Sequence, residues 1–433
     1  LSKLKEMKPI RFIRTRLSIR SVRQILARMA TVAMRYEMSS ESFANILQSF
    51  IELTNRYRVK PTFPVPATVV QRHPRQFQKI EEAGVELAVH GYRHVEYTQL
   101  ETSQIQMHYK QAVQTFHDVG LHINGFRFPF LRRNTETLHA LGQSGFIWDS
   151  SDALYWPVLD SEHIHPQQWK SYLNILNSYQ AQSIQDDLSL PRTAYGLIEI
   201  PVAIPDDDIL FERLKLPPTK VRHIWIQMLE DVRHRGEMLV LQLHPERFPI
   251  FKNVLDSILK KARHDGNCWI ASLGEIAQWW QERSAFSCDI NKVAHGRYKV
   301  NFDCSDRGQP MVRSVSPEGI GQWFSVAKQI TIKSVKKPVV GISSRSPENL
   351  KKFLADEQII FEITDDSKRT NLYLDWKGAF RSRDKRELIN QINGCAKPLI
   401  RMGRWPDPYE YCLSITGDID GLDFWDYWNR FYG

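Results

Sequence analysis

The sequence predicts an α/β fold: an incomplete, seven-stranded (β/α) barrel with a smaller β-rich second domain. Three observations predict it. The 433 residues exceed the roughly 250 that a (β/α) barrel takes, which leaves room for a second unit. From Thr31 to about Arg283, short runs rich in β-branched residues alternate with longer segments of helical period. After Ser284 the alternation gives way to short strands and turns. The chain therefore divides into an arm at 1–30, the barrel at 31–283, a β-rich domain at 284–395, and a C-terminal strand and helix at 396–433.

The strand-like runs of the barrel are Thr31 to Tyr36, Thr62 to Val65, Val85 to Val89, Phe146 to Trp148, Leu197 to Ala203, Met238 to Leu243 and Trp269 to Ala271. Between them, Phe43, Ile46, Leu47, Phe50 and Ile51 form one helical stripe, and Val254, Leu255, Ile258, Leu259 and Ala262 another. Ser39-Ser40-Glu41-Ser42 suits a helix start, and Gly120 suits a helix stop near Val119. In the second domain the expected strands are Tyr298 to Phe302, Gln329 to Ile332, Val339 to Ile342, Ile359 to Ile363 and Asn371 to Leu374. No solenoid repeat or low-complexity tract interrupts the chain.

Hydrophobic residues at 42% and charged residues at 25% are ordinary for a globular protein. The net charge of +9 is concentrated at one end. Residues 1–30 hold nine Lys or Arg against Glu6 alone, a net of +8, so the remainder is nearly neutral. That distribution argues against nucleic acid as a partner, because phosphate tracking needs basic residues along a groove. Val22, Ile25, Leu26 and Met29 give the arm one apolar face, which suits peripheral contact with an anionic membrane surface; a solvated leader is the plainer alternative. Arg11, Arg14, Arg16 and Arg20 break every apolar stretch that a secretory signal needs. No run approaches the roughly 18 apolar residues of a spanning helix. Five cysteines without a Cys-x-x-Cys pair suit free thiols in a reducing compartment, so a cytoplasmic, at most membrane-peripheral, location is expected.

Three motifs carry the chemistry. Val85-Glu86-Leu87-Ala88-Val89 runs into His90-Gly91-Tyr92-Arg93-His94, and two imidazoles at this spacing can share one metal if the loop after the strand is helical. Gly125-Phe126-Arg127-Phe128-Pro129-Phe130 follows about one β/α unit later, with an Arg able to orient a carboxylate. Leu241-Gln242-Leu243-His244-Pro245 again ends an apolar strand in His. Taken singly, each has a bland structural interpretation. Together they sit where β/α folds assemble their sites, at the carboxyl ends of strands.

In this order the motifs resemble those of the polysaccharide deacetylase (NodB-homology, carbohydrate esterase family four) group, over about residues 31 to 283. Asp152-Ala-Leu-Tyr-Trp156 is similar to that family's Asp-and-Trp motif. The resemblance implies a metal held by two His and one Asp, a second Asp as base, and both acids in a Thr-Phe-Asp-Asp motif on the first strand. This chain departs there, because its first strand reads Met34-Arg35-Tyr36-Glu37-Met38. A similar string stands at the far end instead, as Thr416-Gly417-Asp418-Ile419-Asp420 after Arg404-Trp405-Pro406-Asp407.

Three arrangements follow. The last strand returns to the barrel, with Asp418 as base and Asp420 as metal ligand; or Glu37 replaces the metal-binding acid; or the site is degenerate, leaving a carbohydrate-binding protein. Two carboxylates this close favour the first, since a cation must neutralise them. On that arrangement the resemblance implies a hydrolase that removes N-acetyl or related acyl groups from an amino sugar, polymer-bound or lipid-linked. An amidohydrolase acting on a small non-sugar amide is the rival enzyme. His90, His94 and Asp420 would bind a divalent metal, Zn2+ by default. Asp418 would act as base, Arg127 would hold it, and His244 would protonate the leaving amine. Phe130 and Trp156 are the expected faces for a sugar ring.

Overall fold

The structure, a computed structural model, describes residues 40–315, 321–423 and 425–426. The basic arm, the expected strand Thr31 to Tyr36 and Glu37 lie outside these residues.

Among the described residues, eleven strands precede the second domain. They are β1 (Thr62–Val65), β2 (Glu86–Val89), β3 (Ile123–Phe126), β4 (Trp148–Asp149), β5 (Ala153–Tyr155), β6 (Gln182–Ser183), β7 (Arg192–Ala194), β8 (Leu197–Glu199), β9 (Val202–Ile204), β10 (Met238–Leu243) and β11 (Cys268–Ile270). Nine more follow: β12 (Ser287–Ala294), β13 (Arg297–Asp303), β14 (Pro310–Val315), β15 (Gly321–Ser325), β16 (Gln329–Lys333), β17 (Lys337–Ile342), β18 (Phe361–Ile363), β19 (Thr370–Leu374) and β20 (Leu399–Met402). The last is β21 (Tyr411–Gly417).

The principal sheet runs β6-β5-β9-β10-β21-β1-β2-β3-β4-β8-β7, with β11 added against β21. Every pairing is parallel except β7 with β8. Strands β8 and β9 are separated only by Ile200 and Pro201. Since β8 pairs with β4 and β9 with β10, that one stretch of chain brings the two flanks of the sheet beside each other. The sheet is therefore curled into the expected incomplete barrel, with staves β21, β1, β2, β3, β4–β5, β8–β9 and β10.

Strand β21 is out of chain order. It lies between β10 and β1, in register with β10 from Met238↔Cys412 to Leu243↔Gly417, and meets β1 at Thr62↔Thr416. Its seven residues are all buried, as a parallel stave covered on both sides requires. A Cβ on Gly417 would come within 2.8 Å of both the Phe63 ring and Pro245, so the strand's end fits only as glycine.

Helices pack outside. The helix Ser40–Arg56 buries Phe43, Leu47, Phe50 and Ile51, and Phe248–Asp265 buries Val254, Leu255, Ile258, Leu259 and Ala262, as the stripes predict. Gly120 ends the helix Thr102–Val119 in the left-handed conformation, φ 79°.

Between β11 and β21 the chain builds three small sheets: β12-β13-β16, β15-β14-β20 and β18-β17-β19. The first two are antiparallel, as the β-rich expectation has it. The third is parallel and carries the helices Glu348–Asp356 and Ser382–Gly394, so this part is an α/β unit. Strand β20 pairs with β14 and belongs with these sheets. A buried polar seam returns the chain to the barrel. Arg283, at the end of the helix Leu273–Ser284, donates to the carbonyls of Gly403, Asp356 and Glu357 at 2.8, 2.6 and 2.7 Å. Arg404 pairs with Glu357 at 2.7 Å, and Trp405 packs against Trp269 and Trp280. Buried charges of this kind are tolerated only when paired and hydrogen-bonded, which fixes where β21 begins.

Candidate active site

Four parallel staves deliver the site residues to one edge. Beyond β2, His90 donates its backbone N–H to Val65 O at 2.8 Å. Its Nδ1 lies 2.8 Å from the carbonyl oxygen of Arg127, an acceptor, so Nδ1 carries the proton and Nε2 keeps its lone pair. That Nε2 faces Asp420 Oδ1 at 3.6 Å. Burial pushes the His90 pKa down to about 4, against the pull of Asp418, so the ring is neutral.

His94 reaches the same carboxylate oxygen, Nε2 to Oδ1 at 3.2 Å. The loop between them is not helical, contrary to the condition attached to the spacing. It turns instead at Gly91, φ 84°, where a Cβ would meet Arg93 O at 2.7 Å and the Tyr97 ring at 3.0 Å. Tyr97 Oη accepts from Tyr92 N at 2.8 Å and locks the turn.

The residues fit a divalent cation. Metal–nitrogen and metal–oxygen bonds of about 2.0–2.1 Å in a tetrahedral site put ligand atoms about 3.3 Å apart, close to the 3.2 and 3.6 Å seen here. The carbonyl behind His90 is the kind of outer partner that fixes a ligating imidazole. Both imidazoles are buried, while the Asp420 side chain is 21% exposed and opens the site to solvent.

Asp418 lies one residue beyond β21, its N–H bonded to Leu243 O at 2.9 Å. Its Oδ1 accepts from Arg127 Nη1 at 2.6 Å and its Oδ2 from Gln242 Nε2 at 2.7 Å. Each oxygen keeps a second lone pair. Arg127, fully buried after β3, also donates to Thr416 Oγ1, Ser150 O and Ser150 Oγ at 2.8, 2.8 and 2.9 Å. Five planar donors spread over this set leave the guanidinium no other orientation.

His244 follows β10. Its Nδ1 is 2.7 Å from Asp207 Oδ1, and its backbone N–H donates to Asp207 Oδ2 at 3.0 Å. Burial opposes its charge, but the Asp207 carboxylate outweighs burial and pushes the pKa up to about 10. Arg247 holds Asp207 from behind, Nη1 to Oδ2 at 3.2 Å. Asp207 is therefore a site residue that lies outside the motifs, as does Ser150, while Gln242 and Thr416 stand within motifs that assign them no role. Asp206-Asp207-Asp208, just beyond the run Leu197 to Ala203, is its one sequence signal.

Replacing Asp207 with Asn removes the group that keeps His244 charged. The sign is fixed by the raised pKa: the pair stabilises the fold fully below the ordinary His value and loses that stabilisation as pH rises through about 10. In Asp207→Asn the alkaline limit of any reaction that needs the imidazolium is expected to fall by about 1–3 pH units. A pH–rate profile of the two proteins checks this.

The two expected sugar faces separate. Phe130 is 49% exposed, held at φ 60°, with its ring 4.5 Å from that of His94. Trp156 is 1% exposed within the core, its Nε1 donating to Asp231 at 3.0 Å, so it is structural and presents no face to a ligand. Asp152 of the same motif bridges Arg133 and Arg192.

Residues 30–147 match the family model for polysaccharide deacetylase. A peptidoglycan deacetylase-like protein of Gibberella zeae is 31% identical over 93 residues, 21% of this chain and 28% of that protein. The match thus spans under a third of that relative's length. Among solved structures, a Mycobacterium smegmatis protein assigned to the polysaccharide deacetylases shares 23% identity and a TM-score of 0.45, over 56% of this chain and 79% of that one. The Puue allantoinase shares 17% and 0.44, over 56% and 75%.

Proposed function

We propose, for a chain whose residues 30–147 match the family model for polysaccharide deacetylase, a metal-dependent hydrolase that removes N-acetyl or related acyl groups from an amino sugar, polymer-bound or lipid-linked. One observation carries the proposal: β21 brings Asp418 to Arg127 and Asp420 to His90 and His94. Two imidazoles and one carboxylate make zinc the default ion, which when bound supplies Lewis acidity toward an acyl carbonyl and toward water.

The chain's own residues do the rest. Asp418, oriented by its hydrogen bond from Arg127, takes a proton from the attacking water. As the carbon–nitrogen bond breaks, the His244 imidazolium gives its proton to the departing amine, and Asp207 stabilises the charged ring beforehand. Phe130 offers an aromatic face to the sugar beside His94. Among the described residues no helix is long and apolar enough to cross a membrane. The basic arm would give peripheral contact with a membrane that presents a lipid-linked substrate, on the cytoplasmic side.

The test is metal analysis of the purified chain, followed by acetate release from an acetylated chito-oligosaccharide. One zinc per chain with acetate release is expected. No metal and no acetate across several acetylated sugars and small amides would instead support a carbohydrate-binding protein without catalysis.

A further inference from the structure

One short helix, Ala67–Arg72, touches both segments that carry the metal-binding side chains. At its start, Ala67 N and Thr68 N donate to the carbonyls of Gly91 and Tyr92, each at 3.0 Å, and so hold the loop between His90 and His94. At its end, Arg72 Nη1 pairs with Asp426 Oδ1, and Arg72 Nη2 lies 3.5 Å from Asp423 Oδ2. The next residue, His73, reaches Asp426 Oδ2 through Nε2 at 3.1 Å.

Asp426 is the hub of the turn that follows Asp420. Its side chain is 1% exposed, and Oδ2 accepts from the backbone N–H of Leu422 at 2.8 Å and of Asp423 at 3.3 Å. The turn wraps it so tightly that a Cβ on Gly421 would lie 2.8 Å from the Asp426 Cβ.

We propose that Arg72 and His73, acting through Asp426, are positioning residues that hold Asp420 against His90 and His94. The helix at 67–72 thereby couples the two halves of a ligand set that the chain supplies from residues more than three hundred apart. This rests on His90, His94 and Asp420 being a metal site. Asp420 stands in a loop beyond the end of β21, and Arg72 and His73 at the end of the neighbouring helix clamp the turn that follows it. His73, Asp423 and Asp426 also cluster as ligands would. However, the Arg72 cation occupies Asp426 Oδ1, and backbone N–H groups and His73 occupy Oδ2, so a metal there would have to displace paired donors.

The test compares the full chain with Arg72→Gln, Arg72→Lys and Asp426→Asn, measuring zinc affinity by competition with a chromophoric chelator. Arg72→Gln and Asp426→Asn are expected to weaken zinc about 10–100-fold, the usual effect of removing a group behind a ligand. Arg72→Lys should recover part of the loss, and saturating zinc should return kcat toward wild type with KM unchanged. A merely structural role would lower the unfolding midpoint without that zinc rescue. Unchanged zinc affinity in folded Arg72→Gln overturns the proposal. So does a second zinc equivalent in the wild type that Asp426→Asn removes. If Asp426→Asn does not fold, Arg72→Gln decides alone, since its side chain is 33% exposed. Failure of the metal site itself is distinct, because then wild type and His94→Ala bind zinc equally poorly.

Discussion

Asp418→Asn is expected to lower kcat for acetate release by about 10²–10⁴, the usual contribution of a general base, while zinc stays bound. Asn keeps the size and still accepts from Arg127, but it cannot take a proton from water. The change differs in kind from Asp420→Ala, which removes a ligand and should cost the metal. It also differs from Arg127→Ala, which leaves the Asp418 carboxylate buried without its cation, a loss of about 3–5 kcal/mol in stability. Steady-state kinetics with metal analysis of each variant separates them. Wild-type kcat in Asp418→Asn would remove Asp418 from the reaction.

Ending the chain after Glu410 is expected to abolish the fold of the barrel as well as the site. The deletion strips β10 of a partner along all six of its residues and takes Tyr411, Leu413, Ile415, Ile419 and Leu422 from the core. At about 1.5–3 kcal/mol for each buried side chain, the loss approaches the whole stability of a domain, about 5–15 kcal/mol. The shortened chain should elute as aggregate and show no cooperative thermal transition by circular dichroism. A folded monomer with the wild-type midpoint would mean that β21 is an addition to a barrel complete without it.

The fold is legible where side-chain pattern and backbone state agree. Thr62 to Val65 and Met238 to Leu243 are strands with the expected bounds. Strand β3 is hidden in the sequence because Asn124 and Gly125 interrupt its apolar run. Gly125 is there for packing, since a Cβ would sit 1.8 Å from the Trp148 ring. The parallel unit of β17, β18 and β19 looks like simple β structure in the sequence because its helices are short and strongly charged.

At the site, His90, His94 and His244 are visible in the sequence because each stands at or just past the end of an apolar strand, and Arg127 because it sits in a Phe- and Pro-rich motif about one β/α unit after the His pair. Asp207 is less so, because it follows a strand of only three residues and is one of three adjacent aspartates. Trp156 shows the limit of reading function from residue type, since an indole beside a motif is as readily core as platform. Asp418-Ile419-Asp420 hints that β21 returns to the barrel, but its place between β10 and β1 emerges only from the fold, because nothing local in a sequence states which stave a strand joins.

Zinc stoichiometry across three variants tests the central claim most directly, namely that the last strand supplies the acid for the two histidines. Wild type is expected to bind one zinc per chain, His94→Ala and Asp420→Ala to lose it, and Glu37→Gln to retain it. Retention in Asp420→Ala together with loss in Glu37→Gln would contradict the claim and place the third ligand at the other end of the chain.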